Sequence, residues 1–352
     1  MRADMNTSLV IVGFHSAFFD TFVRMMTRVM SIHCGEECEI IHTSEISFFA
    51  RLMLKRRSRP FILATDRPDA TLTDAVREAD IATIILHEHL AYETVLIQQT
   101  QNKTLAEGLR LVQRYAVCFS RLSSGSKTYT LAPSQFLAGA EAELHKITTK
   151  VGLNIKEQVA VDVVNEFSWP DIWRPFENIP RSVQVAVQGY NEFARGIENA
   201  TLICTKELMV PGPETNIFDN DKIDLTGRGG LVLFGPYASL APGRWEATIC
   251  FGAAPNAIGA QLRFICQATY NGTFHEVNAT DYSIERAGIQ NVTIVFEMET
   301  IDHQLEITIH KTKPLFEGNL AFGYIKFNVL PDDVDDDIWA QGIDPQNVPL
   351  LT

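Results

Sequence analysis

The feature that most constrains this chain is a change of hydrophobic period near residue 221. Beyond it, apolar and polar residues alternate in short runs at 231–234, 244–251, 260–270, 273–278, 281–285, 290–300, 303–311 and 321–330. Turn residues separate these runs. Trp245, Ala247, Ile249 and Phe251 share one side of a run, and Leu262, Phe264 and Cys266 share one side of the next. A strand with period two buries one face, and many short strands in succession close into two packed sheets. Residues 221–330 are therefore predicted to form an antiparallel, jelly-roll-like β-sandwich, with Trp245 in its core.

Before residue 168 the pattern differs. Apolar runs at 9–12, 39–42, 61–65, 81–86 and 129–131 alternate with segments of helical period, including 44–55, 72–79, 91–99, 105–122, 138–150 and 155–167. Strands separated by helices predict a mostly parallel sheet with right-handed crossovers, hence a Rossmann-like three-layer α/β domain over 1–167. Its opening stretch, Ser8–Met30, reads as strand, tight turn and helix, a frame in which the helix N-terminus usually receives a phosphate. The loop Phe14-His15-Ser16-Ala17-Phe18-Phe19-Asp20-Thr21 is a poor anion cradle, with no glycine after Gly13, no Lys or Arg, and an acid at Asp20. His15, Asp20, Asp66, His87, Glu88 and His89 fall at or just after predicted strand ends, where sites in open α/β sheets gather. If the chain is an enzyme, His15, Asp20 and His87 are the candidate catalytic residues, with Glu88 able to orient a neighbouring histidine base; otherwise they are polar residues of the sheet rim.

Between the domains, 168–220 reads as a linker with a helix at 183–199, and 331–352 as an acidic tail without the alternating ligands and closing glutamate of a calcium loop. The balance of 43 acids against 30 Lys and Arg excludes a nucleic-acid-binding surface, which needs a basic face. No 18-residue apolar run is present, so no membrane span is expected, and the polar N-terminus reads as that of a cytoplasmic protein. The one close pair among the six cysteines, Cys34 and Cys38, is flanked by His33 and His42; it reads as two reduced thiols, with linkage or metal binding left open. The basic cluster 55–59 reads as a solvated helix C-terminus.

The order of elements over 8–167 resembles the sulfotransferase branch of the P-loop fold. The resemblance rests on the opening loop, on Ile84-Ile85-Leu86-His87-Glu88-His89-Leu90, and on 141–167 with Leu144-His145-Lys146-Ile147 and Val151-Gly152-Leu153. It implies a site for a sulfate-donor nucleotide, but Ser16, Ala17 and Phe18 stand where the family has arginine, serine and glycine. His87 and Val95 stand for the arginine and serine of the second phosphate contact. Each missing charge-assisted hydrogen bond forfeits roughly 1.5–3 kcal/mol. The expectation is a domain with no cofactor, the alternative being donor nucleotide bound in a rearranged site.

In the second half, Leu233-Phe234-Gly235-Pro236-Tyr237-Ala238-Ser239-Leu240-Ala241-Pro242-Gly243-Arg244-Trp245 resembles a pattern in carbohydrate-binding-like sandwiches attached to bacterial polysaccharide enzymes. Pro242-Gly243 suits a turn in which glycine takes positive φ. The resemblance implies glycan contact, for which Tyr237, Tyr270, Asn271, His275 and Tyr282 are the candidate residues, with Phe274, Asn278 and Arg228 beside them. The expected protein thus binds or organises a glycan or a polysaccharide-synthesis partner without transferring sulfate. The alternatives are an active sulfo- or glycosyltransferase and a structural homo-oligomer assembled through the sandwich.

Overall fold

A computed structural model describes residues 8–42, 60–170, 179–197, 200–213, 215, 217–218, 222–270, 272–301 and 303–331. Asn271, the expected helix at 44–55, the basic cluster 55–59 and the tail from 332 onward lie outside the described residues.

The first domain is built on five parallel strands: β1 (Ser8–Gly13), β2 (Glu39–His42), β3 (Phe61–Thr65), β4 (Ala82–Leu86) and β5 (Thr128–Leu131), in the order β2-β3-β1-β4-β5. The three central strands are almost entirely buried, as near-continuous apolar runs in a parallel sheet require. Alternation sorts their side chains between two cores. Leu9, Ile11, Ile62, Ala64, Ile84 and Leu86 pack with α1 (Ala17–Cys34), α5 (Pro133–Ala138), α6 (Ala140–Lys150) and α7 (Glu157–Asn165). Val10, Val12, Leu63 and Ile85 face α2 (Ala70–Glu78), α3 (Leu90–Gln101) and α4 (Leu105–Ser123). The helix expected at 138–150 is α6, which starts after Gly139, whose φ of −164° and ψ of 58° leave the helical region; the short helix α5 before it is not among the expected elements. Helix α4 opens with a capping box: Thr104 Oγ1 accepts from Glu107 N, and the Glu107 carboxylate accepts from Thr104 N.

The second domain is a sandwich of two antiparallel sheets. One runs β13 (Thr273–Ser283), β12 (Gln261–Tyr270), β15 (Gln304–Lys311), β10 (Gly230–Ser239) and β7 (Val210–Pro211). The other runs β14 (Gly288–Met298), β11 (Gly243–Ala253), β16 (Asn319–Val329), β9 (Lys222–Asp224) and β8 (Ile217–Phe218), with β6 (Leu202–Thr205) also paired to β16. Trp245, 1 % exposed, is a core residue whose Nε1 donates to Ala241 O. Gly243 has φ of 136°, the positive value expected of that turn. The two runs expected at 273–278 and 281–285 form one strand, since Ala279 and Thr280 pair in register with Ile265 and Phe264, just past a bulge at Cys266/Gln267. At that point Asn278 Nδ2 donates to Val295 O.

Residues 179–197 and 200–213 are woven into both domains. Helix α8 (Arg181–Ala194) packs on α4 on one side and on β6 on the other. One continuous apolar cluster runs from Val10 and Leu63 through Val112, Phe119, Val187 and Tyr190 to Trp245 and Phe264. Gly189 lies where α8 crosses β6, and a Cβ there would overlap the carbonyl of Thr201. In an exposed helix, replacing glycine with alanine stabilises by about 1 kcal/mol. Gly189→Ala is expected to do the opposite, lowering the unfolding free energy by about 1–3 kcal/mol in urea denaturation, since α8 must move to admit a methyl group.

Candidate functional site

The end of β1 is closed by packing. An ideal Cβ on Gly13 would lie 2.9 Å from Leu86 Cβ and 2.9 Å from Phe19 Cδ2, so the Phe19 ring covers the glycine. Phe18 sits beside it against Phe22, Phe136 and Trp169, with centroids 5.5–5.9 Å away. Ser16 caps α1 by accepting from Phe19 N at 3.1 Å. His15 Nδ1 and Asp66 Oδ2 are 3.3 Å apart at the surface, and Asp20 is exposed one turn into α1. His87 is 3 % exposed, 5.9 Å from the Phe119 ring, with both ring nitrogens unpartnered. No hydrogen bond or ion pair joins His15, Asp20 and His87.

Their neighbours hold the structure together. Glu88 accepts from both Ser134 N and Ser134 Oγ at 2.9 Å, supplying a cap that α5 lacks from its own residues. His89 Nδ1 accepts from Ala91 N at the start of α3, while its Nε2 lies 3.2 Å from Asn191 Nδ2. Asn191 Oδ1 in turn accepts from Leu90 N at 2.8 Å, which fastens α8 to this loop.

Two buried titratable groups here shift in opposite directions. Burial, then the charges of Arg195 and His89, push His87 down to about 3. Burial pushes Glu93, which the sequence pattern does not single out, up to about 8. Both are therefore uncharged at neutral pH. For His87, the unfolded chain binds the extra proton between about 3 and its ordinary 6.5, so stability falls as pH drops through that window. For Glu93, the folded chain keeps its proton between the ordinary 4.5 and about 8, so stability falls as pH rises through that window. Glu93→Gln is expected to flatten the decline between pH 6.5 and 8 in urea titrations, and His87→Phe to flatten the acid-side decline.

The sandwich supplies a different site. A cleft of about 350 Å³ is lined by Arg114, Tyr237, Ser239, Thr269, Tyr270, Gly272, Phe274, Ile301 and Gln304. Its floor comes from the ends of β10, β12 and β15, one wall from the β12–β13 hairpin, and Arg114 from α4 of the first domain. Tyr270 and Phe274 are 49 % and 55 % exposed, so each offers an open ring face. Tyr270 also packs on His303 at 5.6 Å between centroids. Tyr237 has φ of 61°, and its hydroxyl donates to Glu306 Oε1 at 2.9 Å. The Arg110 guanidinium stacks 4.8 Å from the Tyr237 ring centroid. Arg110 also donates to Pro236 O and Leu208 O at 3.0 and 3.1 Å. Ser239 is 1 % exposed, and its Oγ has no hydrogen-bond partner.

Of the candidate sugar-binding residues, Tyr237 and Tyr270 meet in this cleft, with Phe274 beside them. His275 is exposed next along β13, where the alternation of a strand turns it to the other face. Tyr282 packs edge-on against Phe251 and Phe264 and donates to Gln290 Oε1 at 2.7 Å, away from the cleft lining. Ser239, Thr269 and Gln304 escape a reading of the sequence because strand register gathers them, Ser239 and Thr269 each opposite Gln304, and Arg114 escapes it because only the docking of α4 brings it there. A second cavity, about 260 Å³, lies among Met209, Pro211, Ile223, Leu233 and Phe322 with Lys206 and Glu207 at its rim, and none of the candidate residues lines it.

The fold is thus an α/β three-layer domain joined to an antiparallel β-sandwich. No protein family and no curated protein matches the sequence. Among solved structures the chain is similar to a mouse sulfotransferase complexed with PAP, at 14 % identity and a TM-score of 0.37, over 47 % of this chain and 65 % of that one. It is also similar to the CBM36-1 domain of a multidomain xylanase from the hindgut metagenome of Trinervitermes trinervoides, at 16 % identity and a TM-score of 0.27, over 37 % of this chain and 98 % of that domain. A carbohydrate-binding module of Cellvibrio mixtus lichenase 5A, in complex with cellotriose, is similar at 12 % identity and a TM-score of 0.26, over 37 % of this chain and 97 % of the module. These likenesses concern the fold alone. Among the described residues no helix is long and apolar enough to cross a membrane, and no disulfide joins Cys34 and Cys38.

Proposed function

We propose that this protein binds a glycan in the cleft between its two domains and that its sulfotransferase-like domain is a scaffold that does not transfer sulfate. The observation that carries the reading is the cleft itself. A pyranose ring has an apolar face of C–H groups and an equatorial fringe of hydroxyls. It is met by open aromatic faces next to a few fixed polar groups. Tyr270 and Phe274 supply the faces; Tyr237, Thr269, Gln304 and the unpartnered hydroxyl of Ser239 supply the fringe contacts. Support for the scaffold role comes from the first domain. Phe19 covers Gly13, the loop to Thr21 has no Lys or Arg, and His87 is buried and uncharged.

A glycan array followed by calorimetry on the full chain tests the reading. Tyr270→Ala is expected to weaken saccharide binding by about tenfold or more without unfolding the chain, because the ring is half exposed. The sulfate-donor nucleotide and PAP are expected to give no heat at millimolar concentration; micromolar binding of either would remove the scaffold role. The pairing of His15 with Asp66 at the sheet rim favours a second reading, a transferase with a rearranged site. Donor binding that is lost in His15→Asn would support it. A stable oligomer by light scattering with no saccharide signal would favour assembly as the sandwich's role.

A further inference from the structure

The cleft differs in charge from the protein around it. The chain carries a formal charge of −13, yet of the nine residues lining the cleft Arg114 is the one charged side chain. Helix α4 presents three arginines at the ends of this region, in different states. Arg121 is tied to Asp74. Arg110, one turn before Arg114, is committed to two backbone carbonyls and the Tyr237 ring. Arg114 is exposed and forms no hydrogen bond or ion pair with any described residue.

The acid behind the cleft floor is not available to pair with it. Glu306 is 4 % exposed, accepts from the Tyr237 hydroxyl, and is raised above the ordinary carboxyl range by burial against the opposing pull of Tyr237 and Arg110. The same cleft is lined by the half-exposed rings of Tyr270 and Phe274. Ser239 adds a buried hydroxyl with no protein partner. A guanidinium is a planar fork of donors that fits a carboxylate or sulfate through two parallel hydrogen bonds. The general negative charge of the protein is screened beyond about 8 Å at physiological ionic strength, so contact with Arg114 decides the local preference.

We infer that the ligand of this cleft is an acidic saccharide, whose carboxylate or sulfate group meets Arg114 while a ring face lies on Tyr270 and Phe274. The inference rests on the glycan reading above and names its substrate class. Calorimetry on the full chain with matched pairs tests it: acidic oligosaccharides of a carboxylated panel against their methyl esters, and sulfated ones against their desulfated parents. The acidic member of at least one pair is expected to bind about 3–10-fold more tightly at low salt. Arg114→Gln should remove that margin, and Arg114→Lys should retain part of it. Which pair shows the margin identifies carboxylate or sulfate. Equal binding of acidic and neutral members overturns the inference and leaves glycan binding standing, as does a margin that survives Arg114→Gln. No binding by any member of the panel overturns both readings.

Discussion

Arg110 lies where three parts of the chain meet. It projects from α4 of the parallel-sheet domain, holds the carbonyls of Leu208 and Pro236 in the sandwich, and stacks on the Tyr237 ring. Around it the two cores become one, because α4 and α8 bury apolar side chains against the parallel sheet and the sandwich at once. Gly189 makes the contact possible by letting the backbones of α8 and β6 approach more closely than any side chain allows. Tyr190, fully buried beside it, donates its hydroxyl to Ser239 O across the seam. A ball of two separately cored domains would leave these helices half solvated; here each helix has an apolar partner on two sides.

That seam also makes the cleft. The aromatic wall belongs to the sandwich, but the cationic wall belongs to α4, so the site exists only when the two domains are docked. Tyr237 shows the coupling at one residue. Its φ of 61° turns its ring toward Arg110, and its hydroxyl reaches Glu306. A non-glycine residue in that region of φ costs free energy unless its surroundings hold it there, and here a stacked guanidinium and a hydrogen bond do so.

At the far end of the parallel sheet the physics runs the other way. Where the fold offers a helix N-terminus to an anion, this chain has put aromatic rings, and four of them, Phe18, Phe22, Phe136 and Trp169, pack together. The polar residues of the next loop are consumed by capping and stitching: Glu88 on Ser134, His89 on Ala91 and Asn191. His87 and Glu93 are buried deeply enough that the cost of charging them keeps both neutral.

The sequence by itself determined the fold class, the β-strands of the sheet, most strands of the sandwich and the core position of Trp245, because hydrophobic period is a local property that each element carries alone. It also marked Tyr237 and Tyr270, since aromatic residues next to turns stand out in a strand pattern. It did not mark β6 to β9, which are two to four residues long and have no period to read. Nor did it separate His275 and Tyr282 from the cleft, because which face an edge residue shows depends on register and on the bulge at Cys266/Gln267. Arg114 and Ser239 lie 125 positions apart, counted as 239 − 114. Nothing in either neighbourhood points to the other. Strand register gathered the hydroxyl and the aromatic rings on one sheet, and only the docking of α4 on the sandwich, a matter of shape between surfaces formed by distant parts of the chain, added the cation.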